Sequence, residues 1–375
     1  MLRRLDALIF RELFGPWVFG VVMYTLLIVA ATFLGRISDY LSQGLNPMTV
    51  LLFLGLNLPG VMVKTFAMAM LLAGLLAFGR LSSDSEIIAV RAAGVSLFRI
   101  MVPVAIFALA VAVAAFAINE IWVPRASMET LRLQSKIERN LKGNLQRVVG
   151  YPLEERGKLR GILTARDLNL ETRTLREATI QLFNADGRVE QYLTAVAMQI
   201  EPQLIAKGQG WRIVGGATIT SRDGSKYIQV DGDVWPSDFP RPNVSAEALL
   251  TDKVSNLDVF SMSEIKREIE KEKAAENPRR DKIANYEFGY WNKIGLPLAA
   301  VIFGLLGAPL GIQNRRTGTA SGFAISVGIS FLYIMLANTL NTFAMNGAIP
   351  AFVASFTPLV IGLIVSCIII WRRNS

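Results

Sequence analysis

The residues that usually carry catalysis are nearly absent from this 375-residue chain. It contains no histidine and one cysteine, Cys367, which lies inside an apolar run near the end of the sequence. Serine–histidine and cysteine–histidine nucleophiles, imidazole metal sites and the usual histidine pH switch are therefore excluded. A single cysteine also excludes an intrachain disulfide. We expect this chain to have no enzyme activity and no bound cofactor of its own.

Two cations in or beside apolar segments, Lys64 and Arg36, could do a different kind of chemistry. Lys64 precedes Arg80 by roughly 16 residues, or about 24 Å along a helix. Such cations can snorkel to the membrane surface, or they can face a cavity and bind lipid phosphates through charge-assisted hydrogen bonds. The residues leave both readings open for Lys64, and the position of Arg36 at the end of an apolar segment favours an interface anchor. Both are candidate ligands for lipid phosphate.

A short amphipathic stretch at residues 80–94, RLSSDSEIIAVRAAG, separates two long apolar segments. Ser83 and Glu86 have the spacing of a capping box, and Gly94 suits a left-handed helix stop, so a short helix over about 82–95 is predicted. It could be a solvated connector in which Glu86 only caps the helix. It could instead be a coupling helix that inserts into a groove of a cytoplasmic ATPase. The residues that would make that contact are Asp84, Glu86, Ile87 and Arg91.

A nucleotide site is not encoded in the chain. Gly74 and Gly79 have the glycine spacing of a phosphate loop, but Arg80-Leu81 follows where Lys and Ser or Thr are needed. Any ATP and Mg²⁺ used in its function must be bound by a separate partner chain.

The elements that would position these residues are apolar helices. The chain is 52% hydrophobic with a mean hydropathy of +0.40, and a helix needs about 20 residues to span the membrane. Six segments qualify as transmembrane helices: about 13–36, 49–79, 100–123, 289–312, 319–341 and 350–371. The second is long and contains Pro59-Gly60, which predicts a tilted or bent helix beside protein or water.

Charges near the ends of these segments predict the orientation. With both termini in the cytoplasm, Arg36 is the main cation of the short outer loops, and the cytoplasmic side carries Arg3, Arg4, Arg11, Arg80, Arg91, Arg99, Arg315, Arg316, Arg372 and Arg373. This distribution follows the positive-inside rule. The net charge of +9 thus reflects membrane topology and not a clustered basic patch for nucleic acid. The polar middle of the chain is then periplasmic.

The middle region is predicted to be mostly β. Runs rich in β-branched and aromatic residues, separated by turn residues, occur at 159–164, 178–183, 189–200, 211–220 and 227–230. This pattern favours a sandwich, a jelly roll or an open barrel. Helices are predicted over 125–145, from a capping box at Ser261 and Glu264 to about 275, and from about 281 into the fourth span. The predicted domains are 1–123 (spans one to three), 124–285 (periplasmic) and 286–375 (spans four to six).

The fifth span has a face of small residues at four-residue spacing, formed by Gly318, Gly322, Ser326 and Ser330. Small residues let membrane helices approach closely. The face could pack within this chain or against another subunit, and we take Gly318, Gly322 and Ser326 as candidate interface residues.

Three stretches of the sequence resemble the LptF/LptG permeases of the lipopolysaccharide exporter. They are GRLSSDSEIIAVRAAGVS at 79–96, SMSEIKREIEK followed by YEFGYWNKIGLPLA before the fourth span, and FGLLGAPLGIQNRRTGTASGFAISVGISFLYI across spans four and five. The resemblance covers nearly the whole chain and implies a periplasmic β-jellyroll between two sets of three spans. It favours the coupling-helix reading, with Glu86 as the acidic contact to the ATPase, and it implies that spans one and five meet the partner permease.

The resemblance also implies the partners. These are a cytoplasmic ABC ATPase dimer, a paralogous LptF/LptG permease, a single-span LptC-like protein, periplasmic LptA-like jellyroll proteins and lipopolysaccharide. The expected function is a non-catalytic inner-membrane permease that extracts lipopolysaccharide and passes it to a periplasmic bridge toward the outer membrane. The alternative is a mechanotransmission or regulatory subunit that does not carry lipid.

Overall fold

The computed structural model describes residues 2–141, 149–155, 158–169, 172–184, 187–201, 210–222, 224, 227–230, 235–242, 249, 257–274, 278–313 and 319–374. Gly318, Arg315 and Arg316 lie outside the described residues, so their predicted roles stay predictions.

Nine α-helices occur in the described part of the chain. Five precede the strands in sequence and four follow them. They are α1 (Leu2–Ser42), α2 (Pro47–Ser83), α3 (Glu86–Ala92), α4 (Leu97–Ala117), α5 (Val123–Leu141), α6 (Met262–Ala274), α7 (Arg280–Gln313), α8 (Thr319–Met345) and α9 (Ala351–Asn374). Six helical segments are long and apolar enough to cross a membrane. The prediction of six long apolar helices is confirmed. The second is helical without interruption through Pro59 and Gly60.

A π-helical turn at Ile118–Trp122 joins α4 to α5. The predicted third span therefore continues as one helical segment well beyond residue 123, and α5 ends at Leu141. Single π turns inside α-helices are rare and often occur at functional sites. This turn carries Asn119 and Glu120, whose contacts are described below.

Among the described residues, six strands form one antiparallel sheet in which neighbours in sequence are neighbours in space. The strands are β1 (Val149–Glu155), β2 (Lys158–Asn169), β3 (Thr174–Phe183), β4 (Val189–Ile200), β5 (Trp211–Ser221) and β6 (Tyr227–Val230). All five predicted runs lie on strands, and β1 was not predicted. A mostly β middle region is confirmed in this coarser sense, and the jellyroll remains a prediction.

One face of the sheet is buried and the other is largely polar. Alternate residues such as Leu163, Ile180, Leu193 and Ile213 are fully buried, as expected because side chains of a strand alternate between faces. Glycines interrupt this alternation in β5, where Gly215 and Gly216 have φ values of 80° and 84°. Their bulge lies opposite Val196, where the β4–β5 register shifts between Ala195 and Ala197.

The helical core is built around α2 and α7, which meet backbone to backbone. A Cβ added to Gly74 would lie 2.7 Å from the Ala308 amide nitrogen, and one added to Gly311 would lie 2.7 Å from the Leu75 carbonyl oxygen. Such separations are too short for real Cβ atoms, so only glycine permits this contact. Gly74, considered above as part of a phosphate-loop spacing, therefore has a packing role.

The chain separates into two compact units. The first comprises Met1–Thr130, Leu257–Lys273 and Arg279–Ser375, and the second comprises Leu131–Asn256 and Ala274–Pro278. The second unit is shorter than the predicted middle domain 124–285. Residues 257–273 group with the membrane helices because Val259 and Ile265 are buried there.

The capping box that begins α6 is formed as predicted. The amide of Ser261 donates to Glu264 Oε2 at 2.7 Å, and the amide of Glu264 donates to Ser261 Oγ at 3.3 Å. These reciprocal bonds satisfy two backbone groups that a helix N-terminus leaves open. They fix where α6 starts.

Candidate functional site

The short helix α3 lies at the end of the helical unit where α2 finishes and α4 begins. The predicted capping box of Ser83 and Glu86 is wrong. The Asp84 amide donates to the Arg80 carbonyl and the Ser83 hydroxyl donates to the same carbonyl, so Ser83 still belongs to α2. The chain turns at Ser85, which has a left-handed φ of 63° and makes no side-chain cap.

The predicted stop at Gly94 is present and is a Schellman motif. Gly94 has φ 85°, its amide donates to the Arg91 carbonyl, and the Val95 amide donates to the Val90 carbonyl. This pattern satisfies the last carbonyls of the helix, and Val90 and Val95 both pack against the main helical core. A helix of this length would not be stable alone, so these contacts hold its shape.

The predicted coupling residues fall on two sides of α3. Ile87 is 3% exposed and belongs to the main helical core, so it anchors α3 and does not offer a surface contact. Glu86 and Arg91 are exposed, as is the neighbouring Ile88, which was not predicted. The exposed surface of α3 therefore combines charges of both signs with one large apolar side chain.

Ion pairs to α1 flank α3 on both sides. Arg80 contacts Glu12 at 3.4 Å and Asp84 at 3.7 Å, and Arg99 contacts Asp6 at 2.8 Å. Asp84, a predicted coupling residue, thus also pairs with the helix that precedes it. These pairs tie the first turns of α1 to the two helices that α3 connects.

Lys64 lies near the middle of α2 and is ion-paired. Its Nζ is 3.7 Å from Asp258 Oδ2, and the two side chains are 52% and 36% exposed. Asp258 belongs to a 3₁₀ turn at Leu257–Val259. Arg36 is exposed on α1. The structure therefore gives Lys64 an internal carboxylate partner that the sequence did not indicate.

A buried lysine on α7 was missed by the sequence reasoning. Lys293 is 6% exposed; its Nζ donates to the Asn119 carbonyl at 2.9 Å and lies 3.8 Å from Glu120. Both carboxylate oxygens of Glu120 accept from the Met262 amide at 3.0 Å. The sequence did indicate this site, because Lys293 lies inside the apolar run of the fourth span. A charged side chain in the membrane costs free energy and is usually paired.

The small-residue face of α8 packs within this chain. A Cβ on Gly322 would lie 3.1 Å from Leu76 of α2, and Ser326 is fully buried. Ser326 Oγ donates to the Phe323 carbonyl at 2.7 Å, so its single proton is used and the Tyr24 hydroxyl donates to Ser326 at 2.6 Å. Neither residue lies on the exposed surface, which does not support their predicted contact with another subunit.

Other faces of α1 and α8 are open. In the most apolar window of each helix only 17% and 11% of residues are buried, against 83% for α2. Large apolar side chains are exposed on both helices, namely Phe14, Val22, Leu26, Leu34, Phe331, Leu332 and Met335.

Comparison with known proteins gives one family. The family model described as "Lipopolysaccharide export system permease LptF/LptG" matches residues 7–372, nearly the whole chain. No individual curated protein matches the sequence significantly.

Proposed function

We propose, because this chain belongs to the LptF/LptG family of lipopolysaccharide export permeases, that it is one of two permease subunits in an exporter driven by a separate ATPase. The family match over residues 7–372, together with six long apolar helices, carries the proposal. The chain is a multi-pass inner-membrane protein and a transporter subunit without catalysis of its own. The ABC-type ATPase dimer, which would bind ATP and Mg²⁺, is part of the proposal.

The ATPase would dock on α3. Its exposed Glu86, Ile88 and Arg91 offer charges beside an apolar contact, and buried Ile87 together with the Schellman motif keeps the helix rigid. Movement of the ATPase would pass to α2 and α4, because α3 connects them directly. The Asp6 and Glu12 ion pairs would extend that movement to α1.

The partner permease would face α1 and α8, with the lipid cavity between the two chains. Support comes from the exposed apolar side chains on these two helices, and the family resemblance implies a partner contact at spans one and five. Lys64 and Arg36 would face lipid phosphates at the end of the cavity remote from α3. The termini would be cytoplasmic and the sheet unit periplasmic.

The sheet unit would receive lipopolysaccharide and pass it toward the outer membrane. In this proposal it is a jellyroll that meets a single-span LptC-like protein and then periplasmic LptA-like proteins. Acyl chains would need a dry apolar groove, and the apolar residues on the buried face of strands β2 to β5 would line it once that face opens.

Copurification tests the whole assignment. The tagged chain, extracted from native membranes in mild detergent, should bring with it a second permease, an ATPase and lipopolysaccharide, identified by protein and lipid mass spectrometry. Recovery of an ATPase without lipid would favour the regulatory alternative. Recovery of neither would refute the exporter.

Charge reversal at Glu86 tests the docking surface. Glu86→Arg should weaken ATPase association about tenfold or more, since opposed charges at an interface become like charges. The measurements are the amount of ATPase recovered in a pull-down with the tagged chain and the rate of ATP hydrolysis by the assembled complex. Asp281→Arg reverses an exposed carboxylate on α7 and should change neither. Equal ATPase recovery from both variants would remove Glu86 from the interface.

A further inference from the structure

Residues 257–265 lie docked on the membrane helices by several independent contacts. Leu257 packs directly on the bare backbone of Gly289, and the ring of Phe260 meets that of Tyr286 edge-on at 6.3 Å. Val259 is 4% exposed and Ile265 is fully buried. The segment is therefore part of the packed helical unit, although it follows the sheet region in sequence.

One end of this segment is anchored by buried polar groups. The Met262 amide, at the start of α6, donates to Glu120, and the positive end of the α6 dipole favours that carboxylate. Lys293, 6% exposed, lies 3.8 Å from the same carboxylate. Charge pairs shielded from water are little screened, and leaving one partner alone is costly. This end should remain in place during a transport cycle.

The other end is held by an exchangeable ion pair. Asp258 and Lys64 are 3.7 Å apart and both substantially exposed. Ion pairs of this kind contribute little and are screened by salt. The carboxylate can therefore leave Lys64 when a stronger anion arrives.

We propose that Asp258 is an internal counter-ion that occupies Lys64 until the phosphate of an anionic lipid replaces it. This rests on the proposed function, in which Lys64 faces the lipid. A phosphate monoester carries more negative charge than a carboxylate and offers three acceptor oxygens, so it can displace the carboxylate. Once displaced, Asp258 no longer pairs with Lys64, while Leu257, Phe260 and Met262 keep their contacts with Gly289, Tyr286 and Glu120.

An internal competitor sets a threshold for binding. Asp258 weakens the binding of every external anion to Lys64 by the same factor, because each anion must first displace Asp258. Abundant phosphodiester lipids that bind weakly are then kept off the site, and a lipid with phosphate monoesters, which binds more tightly, still occupies it.

Lipid binding by charge variants tests this inference. The chain, kept in the complex with the partner permease and ATPase that copurify with it, would be placed in phosphatidylcholine nanodiscs and titrated with lipopolysaccharide, with occupancy read by native mass spectrometry. Asp258→Asn should tighten binding about two- to fivefold, the range that a half-exposed ion pair allows. Lys64→Gln should weaken binding, and Asp258→Asn should then have no further effect in the double variant. Asp281→Asn, which neutralises an exposed carboxylate on α7, serves as the control and should match the native chain.

The outcomes separate the two proposals. If the native chain binds lipopolysaccharide and Asp258→Asn binds it with the same affinity, the counter-ion role of Asp258 is wrong. The proposed exporter function is then unaffected. Absence of binding to the native chain above empty nanodiscs would refute the proposed function and this inference with it. Displacement of bound lipopolysaccharide by millimolar inorganic phosphate would assign the site to free phosphate and overturn the lipid role.

Discussion

The helices α2 and α7 and the helices α1 and α8 are all long and apolar, but they are used in opposite ways. In their most apolar windows, 83% and 61% of residues are buried in α2 and α7, against 17% and 11% in α1 and α8. The first pair meets through Gly74, Gly307 and Gly311 with backbones in contact. The second pair leaves many large apolar side chains exposed within the chain.

Hydropathy does not separate these two pairs, because lipid and protein neighbours are equally apolar. The pairs differ in backbone contact: α2 and α7 pack backbone to backbone through their glycines, whereas α1 and α8 have open apolar faces. The buried pair forms the stable body of the subunit, and the exposed pair is free to meet lipid or a second permease. Three substitutions test that comparison, ordered by their expected effect on the stability of this chain.

Gly74→Ala should have the largest effect. The new Cβ would meet the backbone of Gly307 and Ala308, which cannot move aside as a flexible side chain would. We expect a loss of about 1–3 kcal/mol in the free energy of unfolding, measured by fluorescence-detected thermal unfolding in detergent.

The matched control for that prediction is Gly328→Ala on α8, where nothing lies within 4 Å of the added Cβ. It should leave stability unchanged or raise it by up to about 1 kcal/mol through helix propensity. Equal losses for Gly74→Ala and Gly328→Ala would contradict the distinction between the two pairs.

Tyr24→Phe should have an intermediate effect. It removes the hydroxyl that donates to Ser326 between α1 and α8, and such a buried bond contributes about 1 kcal/mol. A double-mutant cycle with Ser326→Ala isolates the pair. Tyr227→Phe on the sheet removes a hydroxyl from a side chain that is 67% exposed, and should cost nothing. A coupling energy of zero in the cycle would show that α8 is held to α1 by packing alone.

Leu332→Ala should have the smallest effect on this chain and the largest on assembly. Leu332 is 64% exposed, so its loss should change the stability of the isolated chain by less than about 0.5 kcal/mol. If the open face of α8 meets the partner permease, recovery of that partner in copurification should fall about tenfold, as for an interface anchor.

Ile364→Ala on α9 is the control for Leu332→Ala, because Ile364 is 53% exposed and also apolar. Partner recovery should be unaffected by it. Equal partner loss from both substitutions would mean that the open face of α8 is not a specific interface.

The sequence by itself determined the order of the membrane helices and strands along the chain. Apolar runs of about 20 residues must be helices in a membrane because their backbone groups have no other partners, and runs of β-branched and aromatic residues identified five of the six strands that the structure describes. The capping box at Ser261 and the stop at Gly94 were also predictable, since each depends on local backbone geometry. The family resemblance followed from the same motifs.

Contacts between distant residues were decided only by the tertiary structure. Lys64 was read with two possible environments, and neither included Asp258, which is almost two hundred positions away in sequence. Ile87 and Ser326 were candidates for contacts with other chains, and both are buried within this one, because periodicity shows that a helix has two faces and not which one is covered. The π turn that brings Glu120 to Lys293 and Met262 has no sequence pattern of its own. Its geometry depends on three elements packing together, and that packing is a property of the folded chain.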